Sequence, residues 1–149
     1  MSELVRKSHN ATVLIYHYVC PAKYRRTIFD PKVDEVLKET CEEIEKRYEI
    51  RFLEIGTDKN HVHFLIQSIP MYSHKKIIQV VKGLTARGIF KKVPEVREKL
   101  WGGEIWSDGY YVSTVGQKGS EETIRKYVRD QGKEENYQQL YGQQLSLFD

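Results

Sequence analysis

The sequence predicts a single α+β domain built around an antiparallel sheet. The chain has 149 residues, of which 40% are hydrophobic and 30% are charged, and this composition suits one compact domain. Four segments have the composition or alternation of strands, and three have the apolar spacing or the capping residues of helices. Their order, β-α-β-β-α-β-α, is that of a ferredoxin-like split βαβ core with one added C-terminal helix.

The first two predicted elements are a strand and a helix. Residues 11–20 are rich in β-branched and aromatic side chains, which favours a strand. Asp30 is a suitable N-cap, and Pro31 suits the first position of a helix. Because apolar residues then recur at helical spacing, we expect a helix over about 31–48.

A hairpin is predicted in the middle of the chain. Residues 50–57 and 61–68 are two further strand-like runs. The segment that joins them, Asp58-Lys59-Asn60, is a short polar turn. The two strands are therefore expected to pair in antiparallel fashion.

The second half of the chain contributes three predicted elements. Ser73 caps a basic helix that should end before Pro94. A fourth strand is predicted over 105–115, after a pair of glycines. Ser120 then opens a last helix that reaches about Gln131, because acidic residues follow this serine in the first turn.

The domain is expected to cover residues 1–132, with a Gln-rich C-terminal tail over 133–149. Cys20 and Cys41 form no C-x-x-C pair and are too few for a disulfide scaffold, so a reducing cytoplasm is the expected compartment. The N-terminal residues lack the apolar run of a signal peptide, and no stretch approaches about 18 consecutive apolar residues. The sequence thus predicts a protein without a membrane segment.

Positive charge is concentrated in one region of the chain. The net charge is only +3, but between Lys75 and Lys99 there are eight basic residues against two acidic ones. Such a cluster suits a polyanionic partner. A solvated helix face balanced by acidic segments elsewhere explains the charge equally well.

Two histidines stand two residues apart in the second strand of the hairpin. Side chains alternate along a strand, so His61 and His63 should lie on one face while Val62 points into the core. Two imidazoles on one face can reach a single metal ion or a phosphate. A bare His-x-His match is weak evidence by itself, since about half of such pairs are incidental.

The last predicted helix carries a second pair of polar side chains. Tyr127 and Gln131 are four residues apart and therefore project from the same helix face. This places a phenol beside a carboxamide whose oxygen could coordinate a metal. A tyrosine on a helix is nevertheless more often a packing or interface residue.

Three separated blocks of sequence together resemble a known family, the single-tyrosine HUH transposases of the IS200/IS605 type. The blocks are 58–66, with the sequence DKNHVHFLI, then 100–116, with the sequence LWGGEIWSDGYYVSTVG, and Tyr127 with Gln131. The resemblance extends over nearly the whole chain. One departure is Asn60, since this family commonly has an acidic residue immediately before the first histidine.

The resemblance implies an activity and a set of site residues. Members of this family cleave single-stranded DNA at element ends, recognise subterminal hairpins and form a 5′-phosphotyrosine intermediate. By position, Tyr127 is the nucleophile. His61, His63 and Gln131 match the ligands of a divalent metal, Mg²⁺ or Mn²⁺. The resemblance also implies that the protein acts in the cytoplasm of a prokaryotic cell.

A homodimer is a further implication of the resemblance, with each active site made from the histidine pair of one subunit and the tyrosine helix of the other. Residues 115–119 contain two glycines between the last strand and the tyrosine helix. They could form a hinge that lets the helix leave its own core, or an ordinary flexible turn.

DNA contacts are expected from basic side chains after the first strand and on the second helix. Two other functions remain open: a non-catalytic ferredoxin-like module that binds single-stranded nucleic acid, and a domesticated relative that does not mobilise an element. The expected phosphate contacts are Arg25, Arg26, Lys75, Lys76, Lys82 and Arg87.

The C-terminal tail ends in a short apolar motif. Gln144, Leu145, Leu147 and Phe148 resemble the Gln-Leu-x-Leu-Phe peptide with which bacterial replication proteins bind the sliding clamp. Docking on the protein's own body or on a dimer partner is the alternative, because exposed apolar residues on a free end usually pack somewhere.

Overall fold

Five antiparallel strands, two α-helices and two short 3-10 helices form the part of the chain that the computed structural model describes, residues 14–100, 103–115 and 137–142. The bounds of the elements are β1 Leu14–Pro21, α1 Pro31–Arg47, β2 Ile50–Asp58, β3 His61–Ser68, α2 His74–Lys92, β4 Tyr111–Thr114 and β5 Gln138–Gly142. The sheet has the order β4-β1-β3-β2-β5, and the helices α1 and α2 pack against one face of it.

The hydrophobic core lies between the helices and one face of the sheet. Val62, Phe64 and Ile66 alternate along β3, and all three are completely buried in this core. Leu37 of α1 and Ile77 of α2 pack into the same cluster. The other side chains of β3 therefore project from the opposite face of the sheet, because neighbouring residues on a strand alternate.

Both helices begin where the sequence predicts. The Asp30 carboxylate accepts a hydrogen bond from the Val33 amide, and the Ser73 hydroxyl accepts one from the Lys76 amide. These caps satisfy backbone donors that the first turn of a helix leaves without partners. α2 ends at Lys92, before Pro94 as expected.

The predicted fold class is confirmed, and the first four elements fall within three residues of their predicted bounds. The strand order places β1 and β3 at the centre, as a split βαβ core requires. β2 and β3 pair in antiparallel register from Ile50 with Ser68 to Asp58 with His61, so the predicted hairpin is also present.

The fourth strand is shorter than predicted. Only Tyr111–Thr114 pairs with β1, whereas the prediction began at residue 105. Before β4, Trp106 makes an isolated bridge with Ala22, and the chain then leaves the sheet. Residues 107–109, Ser-Asp-Gly, explain the break because these residue types favour turns over strands.

A fifth strand occurs inside the segment predicted to be a tail. Gln138–Gly142 pairs with β2 and forms an edge of the sheet. Its sequence, QQLYG, lacks the alternation by which strands are recognised, so the strand owes its position to backbone pairing with β2. The predicted boundary at residue 132 is outside the described residues.

Several other predictions also fall outside the described residues. They are the last helix with Tyr127 and Gln131, the glycine-containing segment over 116–119 and the apolar motif over 144–148. No helix in the described part of the chain is long and apolar enough to cross a membrane. Cys20 and Cys41 are both buried and form no disulfide.

Candidate active site

The two histidines of β3 lie side by side on the face of the sheet opposite the helices. Their ring centres are 4.9 Å apart, and the ring planes meet at 68°. His61 is half-buried at the start of the strand, whereas His63 is only 5% exposed. The predicted placement of both imidazoles on one face is therefore present.

Each imidazole is held by a hydrogen bond at its Nδ1 atom. Nδ1 of His61 is 2.8 Å from the side-chain oxygen of Asn60. An amide oxygen can only accept, so Nδ1 of His61 is the donor, and the lone pair of the neutral ring is then on Nε2. Nδ1 of His63 is 3.1 Å from Nε2 of His17, which lies on the neighbouring strand β1.

Burial keeps the His63 ring neutral. It lowers the pKa of His63 to about 4, with a further lowering from the neighbouring His61 and a smaller opposing effect of Asp58. A neutral imidazole retains a lone pair, which metal ligation requires. His63 is therefore in the protonation state of a metal ligand at neutral pH.

The two imidazoles fit part of a divalent metal site. Each ring is oriented by a hydrogen bond at its Nδ1 atom, as metal-binding histidines usually are through their second nitrogen. The described residues contain no cluster of three or more His, Cys, Asp or Glu side chains that could hold a metal ion. A metal there would need ligands from elsewhere, and Gln131, the third residue that the family resemblance implies, is outside the described range.

A buried carboxylate and a second tyrosine also lie on this face. The Tyr137 hydroxyl donates a hydrogen bond to Oε2 of Glu54, and the Tyr137 ring centre is 5.7 Å from that of His63. Burial raises the pKa of Glu54, and the hydrogen bond from Tyr137 partly opposes this rise. The phenol passes directly over Gly56, where a Cβ atom would collide with it, so only glycine leaves room.

His17, Glu54 and Tyr137 were not among the predicted site residues. Glu54 does carry a signal, since it is an acidic residue in a run that is otherwise apolar, Phe52-Leu53-Glu54-Ile55. His17 and Tyr137 carry none, because they reach His63 only through the pairing of separate strands.

An exposed loop with aromatic and basic side chains adjoins the His61 turn. The Ala22 amide donates to the Asn60 carbonyl at 2.9 Å, and this fixes the start of the loop beside the turn. Tyr24 is 61% exposed, and Arg25 and Arg26 follow it on the surface. Tyr24 and Arg25 have φ angles of 57° and 54°, a left-handed conformation that costs a non-glycine residue about 1 kcal/mol.

The predicted DNA contacts fall into two groups. Lys75, Lys76 and Arg87 are exposed on α2, as a phosphate contact requires. Lys82 is instead partly buried, and its ammonium group donates to the Ser107 carbonyl at 2.8 Å. It thus holds the loop before β4, a role within the fold that the sequence did not indicate.

A cavity of about 570 Å³ lies between α1, the end of β2 and β5. Asp34 lines it, is only 8% exposed and accepts a hydrogen bond from the Thr57 hydroxyl at 3.1 Å. Burial raises the pKa of Asp34 to about 6, against the hydrogen bond from Thr57, which lowers it, and with a smaller rise from Asp30. Burial therefore disfavours the charged form of this carboxylate.

We expect Asp34→Asn to stabilise the protein at pH 8. The pKa of Asp34 is higher in the folded protein, about 6, than in the unfolded chain, near 4. The protonated carboxyl group therefore stabilises the fold below pH 4, and this contribution is lost as pH rises through about 6. The amide keeps an acceptor for Thr57 and removes the charge, so the free energy of unfolding should rise by about 1–3 kcal/mol. Urea unfolding at pH 4 and pH 8 measures this gain.

The matched control is Glu35→Gln, an exposed neighbour on the same helix and in the same cavity. It should change the stability by less than about 0.5 kcal/mol at either pH. An Asp34→Asn protein that is less stable than the wild type at pH 8 would contradict the assigned cost of burying this carboxylate.

The fold and the site define a class: a ferredoxin-like sheet that carries a histidine pair on the face opposite its helices. A protein-family model described as "Transposase IS200 like" matches residues 10–131. The ISDra2 transposase TnpA of Deinococcus radiodurans is 30% identical over 118 residues, which are 79% of this chain and 84% of that protein. The transposase for insertion sequence element IS200 of Salmonella typhimurium is 29% identical over 136 residues, 89% and 83% of the two chains.

The chain therefore belongs to the IS200-like family of single-tyrosine transposases, as the sequence resemblance predicts. A solved crystal structure of a transposase candidate from Deinococcus radiodurans R1 has the same fold. Its TM-score is 0.68 at 24% identity, and the match covers 85% of this chain and 97% of the other. This likeness concerns the fold alone.

Proposed function

We propose that the protein cleaves and rejoins single-stranded DNA at the ends of a mobile element through a 5′-phosphotyrosine intermediate. Membership of the transposase family supports the general activity. The observation that supports the finer mechanism is the pair of imidazoles on β3, each with its Nδ1 atom in a hydrogen bond. This geometry suits two neutral ligands of one divalent cation.

In this proposal Tyr127 is the nucleophile. Its phenol gives up a proton, and the oxygen attacks the scissile phosphorus as the bond from phosphorus to the 3′ oxygen breaks. The leaving oxygen takes up one proton and becomes a 3′ hydroxyl, so the exchange of protons balances. The 3′ hydroxyl of another strand end reverses the step, so the DNA is rejoined without an external energy source. His61, His63 and Gln131 would hold Mg²⁺ or Mn²⁺, which would stabilise negative charge on the phosphate.

The chain's own residues prepare the site before any DNA binds. Burial holds His63 neutral, and Asn60 orients the His61 ring. The Tyr137 ring, which is held by its hydrogen bond to Glu54, packs against one side of the His63 ring. Because these groups are held by the sheet itself, little ordering of the histidine pair is needed on binding.

The surface beside the histidines suits single-stranded DNA. Tyr24 offers an exposed ring on which a base can stack, next to the two arginines of the same loop. The hairpins at the element ends would be held through phosphate contacts of Arg25, Arg26, Lys75, Lys76 and Arg87, with Lys82 acting on the loop instead.

Neutralising exposed lysines of α2 should weaken DNA binding and its salt dependence. We expect Lys75→Gln/Lys76→Gln to lower the slope of log K against log salt by about 0.7 for each phosphate that a lysine no longer neutralises. Fluorescence anisotropy with a labelled hairpin oligonucleotide at several salt concentrations measures this slope. Lys46→Gln, at an exposed position of α1, is the control, and an equal effect for each charge removed would argue against a local phosphate site.

A strand-cleavage assay tests the proposed activity against the two alternatives. The purified chain is incubated with Mn²⁺ and a single-stranded oligonucleotide that contains an element end with its hairpin. The proposal predicts a covalent protein–DNA adduct and a free 3′ hydroxyl. Binding without any adduct would favour a non-catalytic single-strand-binding protein, and adduct formation without strand transfer to a second end would favour a domesticated relative.

We further propose that the protein acts as a homodimer in the cytoplasm of a prokaryotic cell, with active sites shared between subunits. The resemblance to single-tyrosine transposases of the IS200/IS605 type supports this arrangement, in which the histidine pair of one subunit meets the tyrosine helix of the other. The glycines of residues 115–119 would let the tyrosine helix reach the partner.

For the tail we propose binding to the replication sliding clamp through Gln144, Leu145, Leu147 and Phe148. A labelled peptide of residues 140–149 should bind purified clamp, because such peptides insert their apolar end into a pocket. The peptide with Leu147→Ala/Phe148→Ala is the control. Equal binding of the two peptides, or no binding up to millimolar clamp, would instead support docking of the tail on the protein's own body or on a dimer partner.

A further inference from the structure

A third histidine meets the metal-ligand candidate His63 from the neighbouring strand. Nε2 of His17 is 3.1 Å from Nδ1 of His63, the ring centres are 5.3 Å apart, and the ring planes differ by only 4°. A ring nitrogen lies about 1.1 Å from its own ring centre, so the two nitrogens lie almost on the line that joins the centres. The rings therefore meet edge to edge in one plane.

This in-plane contact is the geometry of an N–H···N hydrogen bond, because the lone pair of an imidazole nitrogen lies in the plane of the ring. The contact is enclosed, since His17 and His63 are each only 5% exposed. The strand register supports it: His17 is paired with Leu65, and Val19 with His63, so both imidazoles project from the same face.

One proton serves the two facing nitrogens, so one ring must donate and the other must accept. If His17 donates, the neutral His63 ring has its proton on Nε2 and cannot offer that nitrogen to a metal. If His63 donates from Nδ1, its lone pair is on Nε2, as it is in His61. Only the second arrangement makes the two histidines of β3 equivalent as ligands.

We propose that His17 is a positioning residue that accepts the Nδ1 proton of His63 and so directs the Nε2 lone pair of His63 to a divalent cation. This inference rests on the proposed metal site. Each β3 histidine then has its own orienting acceptor: the Asn60 amide oxygen serves His61, and the His17 imidazole serves His63. Partners of this kind usually change metal affinity by 10- to 100-fold when removed.

A packing role for His17 makes a different prediction from a positioning role. Phenylalanine has a ring of similar size but no acceptor, so it would satisfy packing alone. Glutamine is not aromatic but can present an oxygen acceptor. If His17 only fills space, His17→Phe should be tolerated better than His17→Gln, and the reverse order follows from positioning.

The experiment compares Mn²⁺ binding by calorimetry in the wild type, His17→Phe, His17→Gln and the control His74→Phe, which removes an exposed histidine on α2. Thermal melting identifies any variant that fails to fold. We expect His17→Phe to bind Mn²⁺ 10- to 100-fold more weakly, and His17→Gln and His74→Phe to stay within about threefold of the wild type. ¹⁵N NMR of the metal-free proteins reports which nitrogen of His63 carries the proton. We expect the Nδ1-protonated form to predominate in the wild type and to lose this predominance in His17→Phe.

Each other outcome counts against the inference. Equal Mn²⁺ affinity of the wild type and His17→Phe would overturn it while leaving the metal site intact. A smaller loss in His17→Phe than in His17→Gln would assign His17 to packing, and equal losses would show that an acceptor at this position is not what matters. An Nε2-protonated His63 in the wild type would show that His17 is the donor and would also overturn the inference. A wild-type protein that binds no Mn²⁺ would overturn the proposed metal site and this inference together.

Discussion

Tyr127→Phe is expected to abolish strand cleavage while leaving hairpin binding nearly unchanged. The substitution removes one nucleophilic oxygen and no charge, so the DNA contacts should persist. Loss of a nucleophile typically lowers turnover by about a thousandfold or more. A cleavage assay on an element-end oligonucleotide, with binding measured in parallel by anisotropy, separates the two effects.

Tyr137→Phe is the matched control for this variant. Tyr137 lies beside His63 and donates to Glu54, so it is the described tyrosine closest to the proposed chemistry. The control should still form the covalent adduct. If the Tyr127→Phe protein forms the adduct and the Tyr137→Phe protein does not, Tyr137 would be identified as the nucleophile in place of Tyr127.

Mixing inactive variants tests the sharing of active sites between subunits. In a shared arrangement, a mixed dimer of Tyr127→Phe and His63→Ala has one intact site, made from the histidines of one subunit and the tyrosine of the other. Mixing should therefore restore part of the cleavage. No recovery after subunit exchange would indicate that each site is built within one chain.

His63→Ala is expected to remove both metal binding and cleavage. One of two imidazole ligands is removed, so Mn²⁺ affinity should fall below detection and cleavage by about a thousandfold. Calorimetry with Mn²⁺ measures the first effect, and the oligonucleotide assay measures the second. DNA binding should be largely retained.

The control for this prediction is His74→Ala, which removes an exposed imidazole from the opposite side of the sheet. Because His63 is buried, melting curves must show that His63→Ala is folded at the assay temperature. Unchanged Mn²⁺ affinity in a folded His63→Ala protein would count against its role as a ligand.

The elements whose sequence signals are local were predicted correctly. Pro31 and the Asp30 cap define the start of α1, and the polar turn between residues 58 and 61 defines the hairpin. β4 was predicted too long because β-branched and aromatic residues continue on both sides of a Ser-Asp-Gly turn. β5 was missed because an edge strand can form by backbone pairing alone.

The candidate site follows the same distinction. The face shared by His61 and His63 follows from strand alternation within one segment. The contact of His63 with His17 depends on the register between β1 and β3. Its contact with Tyr137 depends on β5, a strand that the sequence pattern does not predict. Such contacts between distant segments become visible only once the strands are paired.

The most direct test of the account is to locate the DNA on the protein after cleavage. Wild-type protein is reacted with Mn²⁺ and an element-end oligonucleotide, the DNA is trimmed with nuclease, and the modified peptide is identified by mass spectrometry. We expect a nucleotide linked through its 5′ phosphate to the phenolic oxygen of Tyr127. An adduct on another residue, or cleaved DNA with no covalent adduct, would contradict it.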